Sequence, residues 1–424
     1  MKVLVIAHGH PDFAVGGAEL AAFNLYRSLQ HHPEVERVDF LARTDQPSVG
    51  CGMIGLRRPG EYLWRQDMHD WFLLRTAYAN GMYDAFRAFL RLNRPDVVFI
   101  HHYAHIGLEM LRELRRELPG AFICLTLHEY MAICAHRGQM VKARSGRLCH
   151  SESPEECAAC IPERTAESFW LRKHFIQKHF EVADMFVSPS EFLRQRYIAW
   201  GIPADYIVVI ENGQPQVEAP AAAVSPALRT RFGFFGQITE FKGVEVLLHA
   251  LHLMRPEVRR TLQVEINGAN LEQQEPKFRE LIEKLRGPLM VEGSLRWVGA
   301  YEPHELPRRM RKVGWVVVPS IWWENSPMVI QEAFCCRRPV IAANIGGMAE
   351  KVQHGVDGLQ FEARSPLDLA DTLAEAAGTK GLWERLSANI RQPISYEECA
   401  KAYLNLARPV LPPILASLAR HQNK

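Results

Sequence analysis

The chain has 424 residues, more than a single hydrophobic core usually organises, so two or three domains are expected. It carries 50 Lys and Arg against 48 Asp and Glu, a formal net charge of +2. That balance excludes a general nucleic-acid binder, whose surface needs a large excess of cations. No apolar stretch exceeds strand length, so no transmembrane helix is expected. The opening run Met1 to Ala7 is stopped by His8-Gly9-His10-Pro11 and lacks the cleavage site of a secretory signal, so it reads as the first strand of a cytoplasmic protein. Nine cysteines, an odd number in a chain without a secretion signal, argue against a disulfide framework.

In chain order, a strand is predicted at 2–7, then a helix opened by Gly16-Gly17-Ala18-Glu19 and running to Leu29, then a strand at 38–42. Residues 97–101 and 122–127 are continuous apolar runs, as expected of strands buried on both faces. Further strands are predicted at 185–188 and 207–210, with helical patterns at 106–118 and 191–200. Residues 64–94 are rich in aromatic and basic side chains, among them Trp64, Trp71, Phe72, Arg75, Tyr78 and Arg87. They fit an amphipathic helix on the sheet better than a surface for an anionic membrane or lipid-linked acceptor. The run 214–229 has no periodicity and three prolines and reads as a linker. Alternation then restarts, with strands at 232–235, 263–267, 295–298, 315–318 and 339–342 and helices between them. The expected architecture is therefore α/β, with two doubly wound domains over 1–213 and 230–392 and a helical tail over 393–424 that could pack on either domain, the first included.

Open α/β sheets bind ligands beyond the carboxyl ends of their strands. Three loops of the second domain carry suitable chemistry there. Gly236 to Gly243 brings glycine, Lys242 and a helix start together, which suits a phosphate, although taken alone an ordinary loop with a solvated lysine is the commoner case. Pro319 to Ala333 holds Glu324 in a loop, Pro327 at the first turn of a helix, and Glu332 inside that apolar helix, where a charge needs a reason. Such a carboxylate can accept two hydrogen bonds from a vicinal diol. Asn344 to Glu350 is glycine-rich and reads equally as a plain turn.

Gly16-Gly17-Ala18-Glu19, His128-Glu129, Gly236…Lys242-Gly243, Glu324-x7-Glu332 around Ser326-Pro327, and Asp357-Gly358-Leu359 after Gly346-Gly347 together resemble glycosyltransferase family 4 over most of residues 1–361. The resemblance implies the GT-B fold, two Rossmann-like domains facing across a cleft, and a retaining transfer from a nucleotide-diphosphate sugar to a glycan, lipid-linked or small-molecule acceptor, in surface polysaccharide or glycoconjugate synthesis. It implies that Glu332 holds the ribose, Glu324 faces the donor sugar and Lys242 binds the pyrophosphate. The backbone of Ser326, Pro327, Met328 and Val329 would approach phosphate and sugar. Gly236 would border the phosphates and Val298 the base, and Gly17 would reach the phosphate from the first domain. His128 would meet the donor sugar or the acceptor hydroxyl. Family members often have arginine where this chain has Gln237, which leaves Lys242 with more of the charge.

There is no Asp-x-Asp motif to hold a diphosphate through a metal, and no nucleophile–base dyad. Front-face transfer is therefore expected, the leaving phosphate taking the acceptor proton, with Lys242, backbone donors and helix N-termini stabilising the diphosphate. A sugar-nucleotide epimerase on the same fold is the alternative. Cys134, Cys149, Cys157 and Cys160 fall in a polar insert at about 131–165. They suggest a structural zinc, with free thiols or a redox pair at Cys157 and Cys160 as the other reading. His101, His102 and His105 follow a strand and line either the acceptor side or a solvated turn. No catalytic cofactor is implied, and peripheral contact with the inner face of a membrane accompanies a lipid-linked acceptor.

Overall fold

The computed structural model describes residues 1–14, 16–76, 81, 83–216 and 225–408. The chain divides into two compact units, Met1–Gly213 with the chain from Ile394, and Gln214–Pro393.

The strands of the first unit are β1 Lys2–Ala7, β2 Arg37–Thr44, β3 Ile54–Arg58, β4 Glu61–Arg65, β5 Met68–Asp70, β6 Arg75–Thr76, β7 Val97–Ile100, β8 Phe122–Thr126, β9 Met185–Ser188 and β10 Ile207–Val209. Eight form one sheet in the order β10-β9-β8-β7-β1-β2-β4-β3, while β5 and β6 pair separately. All neighbours in the large sheet are parallel except β3, which runs antiparallel to β4. The central strands are buried along nearly their whole length, which is why they read as unbroken apolar runs. The chain winds outward from β1 through β2 to β4, then returns to β7 on the other side of β1. The β1/β7 boundary is thus a topological switch point.

The second unit holds β11 Arg231–Phe235, β12 Gln263–Asn267, β13 Leu295–Trp297, β14 Trp315–Val318, β15 Val340–Ala343 and β16 Gly358–Phe361. They form an all-parallel sheet ordered β13-β12-β11-β14-β15-β16, whose switch point lies between β11 and β14. Its core gathers Phe232, Val264, Ile266, Trp315, Val316 and Ile341, all fully buried.

The last described helix, Tyr396–Leu406, starts at a capping box in which Ser395 and Glu398 exchange hydrogen bonds with each other's backbone N–H. It belongs to the first unit and packs on the helix Gly17–Leu29. Tyr403 lies 3.0 Å from the Thr126 hydroxyl and edge-on to Phe99, and Cys399 donates to the Glu211 carbonyl. Burying Tyr403 and Leu404 contributes about 1.5–3 kcal/mol each. In the linker, 217–224 lie outside the described residues, and Pro226–Leu228 forms a short 3-10 turn.

Residues 64–94 are not one amphipathic helix. Trp64 lies in β4, fully buried and stacked on Phe86 at 4.4 Å, and the only helix described in the segment is Asp84–Asn93. Its basic residues are engaged: Arg75 pairs with Glu109, Arg87 with Glu113 and Arg91 with Glu117. Strands of two to five residues separated by turns mimic a helical period when read as one window. Tyr78 falls outside the described residues.

The zinc expectation finds no support. Cys134, Cys149, Cys157 and Cys160 form no disulfide, and among the described residues no three His, Cys, Asp or Glu side chains are disposed to hold a metal. The sulfurs serve local backbone instead. Cys149 Sγ donates to the Ser151 carbonyl at 3.3 Å, Cys134 Sγ to that of His136, and Cys160 Sγ accepts from Ala143 N–H. The insert is held by Arg172, a buried guanidinium that donates to the carbonyls of Phe72, Met131 and Ala132. The ion pairs Lys142–Glu156 and Lys173–Glu152 and the short bridge Val141–Leu148 complete it.

Candidate active site

The β11/β14 switch point of the second unit brings two chemically loaded loops together. After β11 the chain passes Gly236 and Gln237, makes a 3-10 turn at Glu240–Lys242, and enters the helix Val244–Leu253 through Gly243. Gly243 has φ +69°, and a Cβ there would overlap the Pro319 carbonyl, which follows β14. Only glycine permits both the turn and this approach. Ile321 N–H then donates to the Phe241 carbonyl at 2.9 Å, tying one loop to the other.

This closeness sets Lys242 against Glu324. Lys242 Nζ lies 2.6 Å from Glu324 Oε1, and the same oxygen accepts from Ser320 Oγ at 2.8 Å and Trp322 Nε1 at 3.0 Å. Glu324 is 7% exposed. Burial pushes its pKa up, but the Lys242 charge and the three hydrogen bonds outweigh that and hold the carboxyl below the usual range. The glycine-rich third loop is a brace. Gly347 N–H donates to the Glu324 carbonyl at 2.7 Å, and a Cβ at Gly347 would overlap the Asn325 carbonyl.

Beyond Glu324, Pro327 occupies the position just before the helix Met328–Cys335, one residue earlier than the sequence suggests. Ile330 N–H donates to the Pro327 carbonyl, but no side chain caps the first turn, and Ser326 Oγ beside it is buried without a partner. Glu332 lies within the same helix. Burial, with no cation to offset it, raises its pKa from 4.5 to about 7. Tyr301 senses the Glu332 charge, packs edge-on to Phe235 and lies under Arg309. Arg309 in turn donates to the Gly299 carbonyl and to Asn267. Val298 N–H is bonded to Ile266 O, so its backbone donor serves the strand rather than a ligand. Gly236 N–H likewise serves Asn267 O, and the Gln237 side chain is exposed.

Gly17 and His128 belong to the first unit. Gly17 opens its helix and is exposed. His128 follows β8, with Nε2 3.1 Å from His101 Nδ1, and burial lowers its pKa to about 3, leaving the ring neutral.

Sequence reasoning missed Ser320, Trp322, Tyr301 and Arg309. Only Trp322, two residues before Glu324, had a signal, as an indole N–H within reach of the carboxylate.

Residues 15–214 match the family model described as Glycosyltransferase Family 4, and residues 229–378 that of Glycosyl transferases group 1. The chain belongs to glycosyltransferase family 4. This family 4 chain is 28% identical over 261 residues to a D-inositol 3-phosphate glycosyltransferase of Streptomyces bingchenggensis, covering 59% of this chain and 54% of the relative. The enzyme of the same name from Nocardioides is 26% identical, covering 63% and 60%. The chain thus spans little more than half the length of these curated relatives. Among solved structures it is similar to Anabaena Alr3699/HepE in complex with UDP-glucose, with a TM-score of 0.65, 16% identity and coverage of 96% and 99%. Sucrose-phosphate synthase from Thermosynechococcus elongatus gives a TM-score of 0.66, 19% identity and coverage of 96% and 98%. The fold of the family 4 chain is GT-B.

Proposed function

We propose that the protein is a retaining glycosyltransferase that moves a sugar from a nucleoside-diphosphate sugar to a hydroxyl of a glycan, glycolipid or small-molecule acceptor. The observation that carries this reading is the β11/β14 switch point. There a lysine and a buried carboxylate face each other beside an uncapped helix N-terminus, with a second, partly buried carboxyl one helix turn further on. Such a site offers a charge and backbone donors for a diphosphate and a carboxyl for a ribose diol. In this reading the diphosphate draws Lys242 away from Glu324, and Glu324, kept ionised, faces the donor sugar. Ser326 to Val329 receive phosphate and sugar, Glu332 the ribose, and Val298 lies toward the base.

The bond from the acceptor oxygen to the anomeric carbon forms on the face from which the carbon–phosphate-oxygen bond breaks, and the hydroxyl proton leaves with the phosphate. Electrostatic stabilisation of that leaving group is the largest single lever such a site has. The relatives make UDP-glucose the first donor and inositol phosphate the first acceptor to test. A glycolipid acceptor would bring the chain to a membrane surface, and among the described residues no helix is long and apolar enough to cross one. No observation favours the epimerase alternative.

Incubation with a panel of sugar nucleotides tests the reading. Transfer or slow donor hydrolysis is expected, lost by orders of magnitude in Lys242→Ala and Glu324→Ala. Isomerisation of the donor, or near-normal turnover in both variants, would overturn it.

A further inference from the structure

The first unit has its own switch point, and its chemistry is histidine. His8 follows β1, while His101 and His102 follow the neighbouring β7, so three imidazoles stand where that sheet's topology opens a crevice. His102 and His105 wall His8 at ring-centroid distances of 4.1 and 5.6 Å.

His8 is held from one side only. Its Nε2 lies 3.0 Å from Glu19 Oε1, with the two side chains 15% and 12% exposed. In the neutral imidazole a carboxylate at Nε2 holds the proton there, which leaves Nδ1 as a lone-pair acceptor. Nδ1 is buried and has no hydrogen-bond partner. A buried polar atom left so costs about 1–3 kcal/mol, which a ligand donor would recover.

The position of Glu19 is built into the sequence. A Cβ on Gly16 would stand 2.5 Å from Glu19 Oε2, and one on Gly9 would stand 3.1 Å from Glu19 Cγ. The Gly16-Gly17-Ala18-Glu19 segment therefore houses a carboxylate besides opening a helix.

The surroundings define what Nδ1 can receive. Burial, reinforced by neighbouring rings, keeps His101 and His102 neutral and lowers His105 to about 4. Burial pushes the Glu19 pKa up, but the effects led by the hydrogen bond with His8 outweigh it and hold the carboxyl below its usual range. Arg43, the cation felt by His105, is itself paired with Asp45 and Asp67 at 3.7 Å each, so a phosphate or carboxylate entering here would meet the Glu19 carboxylate.

We propose that His8, oriented by Glu19, binds the acceptor by accepting a hydrogen bond from one of its uncharged hydroxyls, so the acceptor presents a neutral polyol face to this crevice. His8 takes no proton in the reaction, and Glu19 is a positioning residue. The acceptor role rests on the transferase reading, whereas the binding itself does not.

The test uses the full chain with 15N-labelled histidine. The His8 signal, assigned by its loss in His8→Ala, is expected to show the tautomer with hydrogen on Nε2. It should move on titration with myo-inositol, glucose or glycerol, and stay fixed with inorganic phosphate. A His8 signal in the opposite tautomer, unmoved by all three polyols, or moved by phosphate, overturns the proposal. Glu19→Gln and Gly16→Ala should both disturb the tautomer while the circular dichroism spectrum stays native. In transfer assays His8→Ala should raise the acceptor KM about 10-fold with kcat little changed. An unchanged acceptor KM also overturns it. A thermal shift with UDP on the same variants reads donor binding separately, so a failure of the donor site and a failure of His8 give different results.

Discussion

Lys242 and Glu324, 82 residues apart in sequence, meet at 2.6 Å because Gly243 lets one loop of the second unit lie against the carbonyl that ends β14. The pair is asymmetric. Lys242 is 32% exposed at its side chain and Glu324 only 9%, so the lysine can turn to an incoming anion while the carboxylate stays in place.

Lys242→Ala leaves a buried carboxylate without its cation, and destabilisation of about 3 kcal/mol is expected in urea unfolding at neutral pH. Because the native Glu324 pKa is depressed, the stability it contributes is present above pH 4.5 and lost as the pH falls through the depressed value. The variant should therefore differ least from wild type in acid. Lys242→Ala/Glu324→Gln should regain most of the loss. Equal stability of single variant and wild type at pH 7 would contradict this account.

Glu332 behaves in the opposite sense. Its pKa is raised from 4.5 to about 7, so the protonated form is the one the fold prefers. Stability from this group is full below pH 4.5 and lost as the pH rises through about 7. Glu332→Gln should stabilise the protein by ~2 kcal/mol at pH 8 and leave it unchanged near pH 4. If Glu332 holds the ribose as a carboxylate, donor affinity should rise with pH through about 7 in wild type and flatten in the variant, as calorimetry across that range would show.

Gly347→Ala forces a methyl group into the Asn325 carbonyl and breaks the brace under Glu324. A loss of 1–3 kcal/mol in stability is expected from such overpacking, with turnover falling more than nucleotide affinity. Gly378→Ala, where a Cβ meets nothing within 4 Å, serves as the control and should be close to neutral.

Arg172→Ala strips the donors from three carbonyls, Phe72, Met131 and Ala132, and should cost about 3 kcal/mol or more. Replacing Cys157 and Cys160 by serine should change the melting temperature far less, and elemental analysis of chelator-free protein should find no stoichiometric zinc. A bound zinc lost in the double serine variant would restore the metal reading.

The apolar runs of β7, β8, β9 and β14, and of β1 after Lys2, were legible because a parallel strand covered on both faces has one pattern, with nothing polar until its carboxyl end. The same rule pointed to the loops after β11 and β14, and so to Lys242 and Glu324. β3 was not legible. Ile54–Arg58 is an edge strand with three exposed residues, and nothing in its order of side chains separates it from a loop. The Cys-x2-Cys spacing suggested a metal because spacing says which sulfurs are near along the chain, and not what else competes for them. Arg172, which holds the insert, lies far along the chain in an ordinary helical run.

The sequence by itself determined the central strands of both sheets, their parallel winding and the carboxyl ends at which chemistry collects, since these follow from local periodicity and chain winding. Tertiary structure decided which oxygen Lys242 meets, that Glu332 lacks a counter-charge, and that Gly16 makes room for Glu19 beside His8. Those outcomes depend on distances between segments tens of residues apart and on the loss of water around them, and neither quantity is written in the order of the residues.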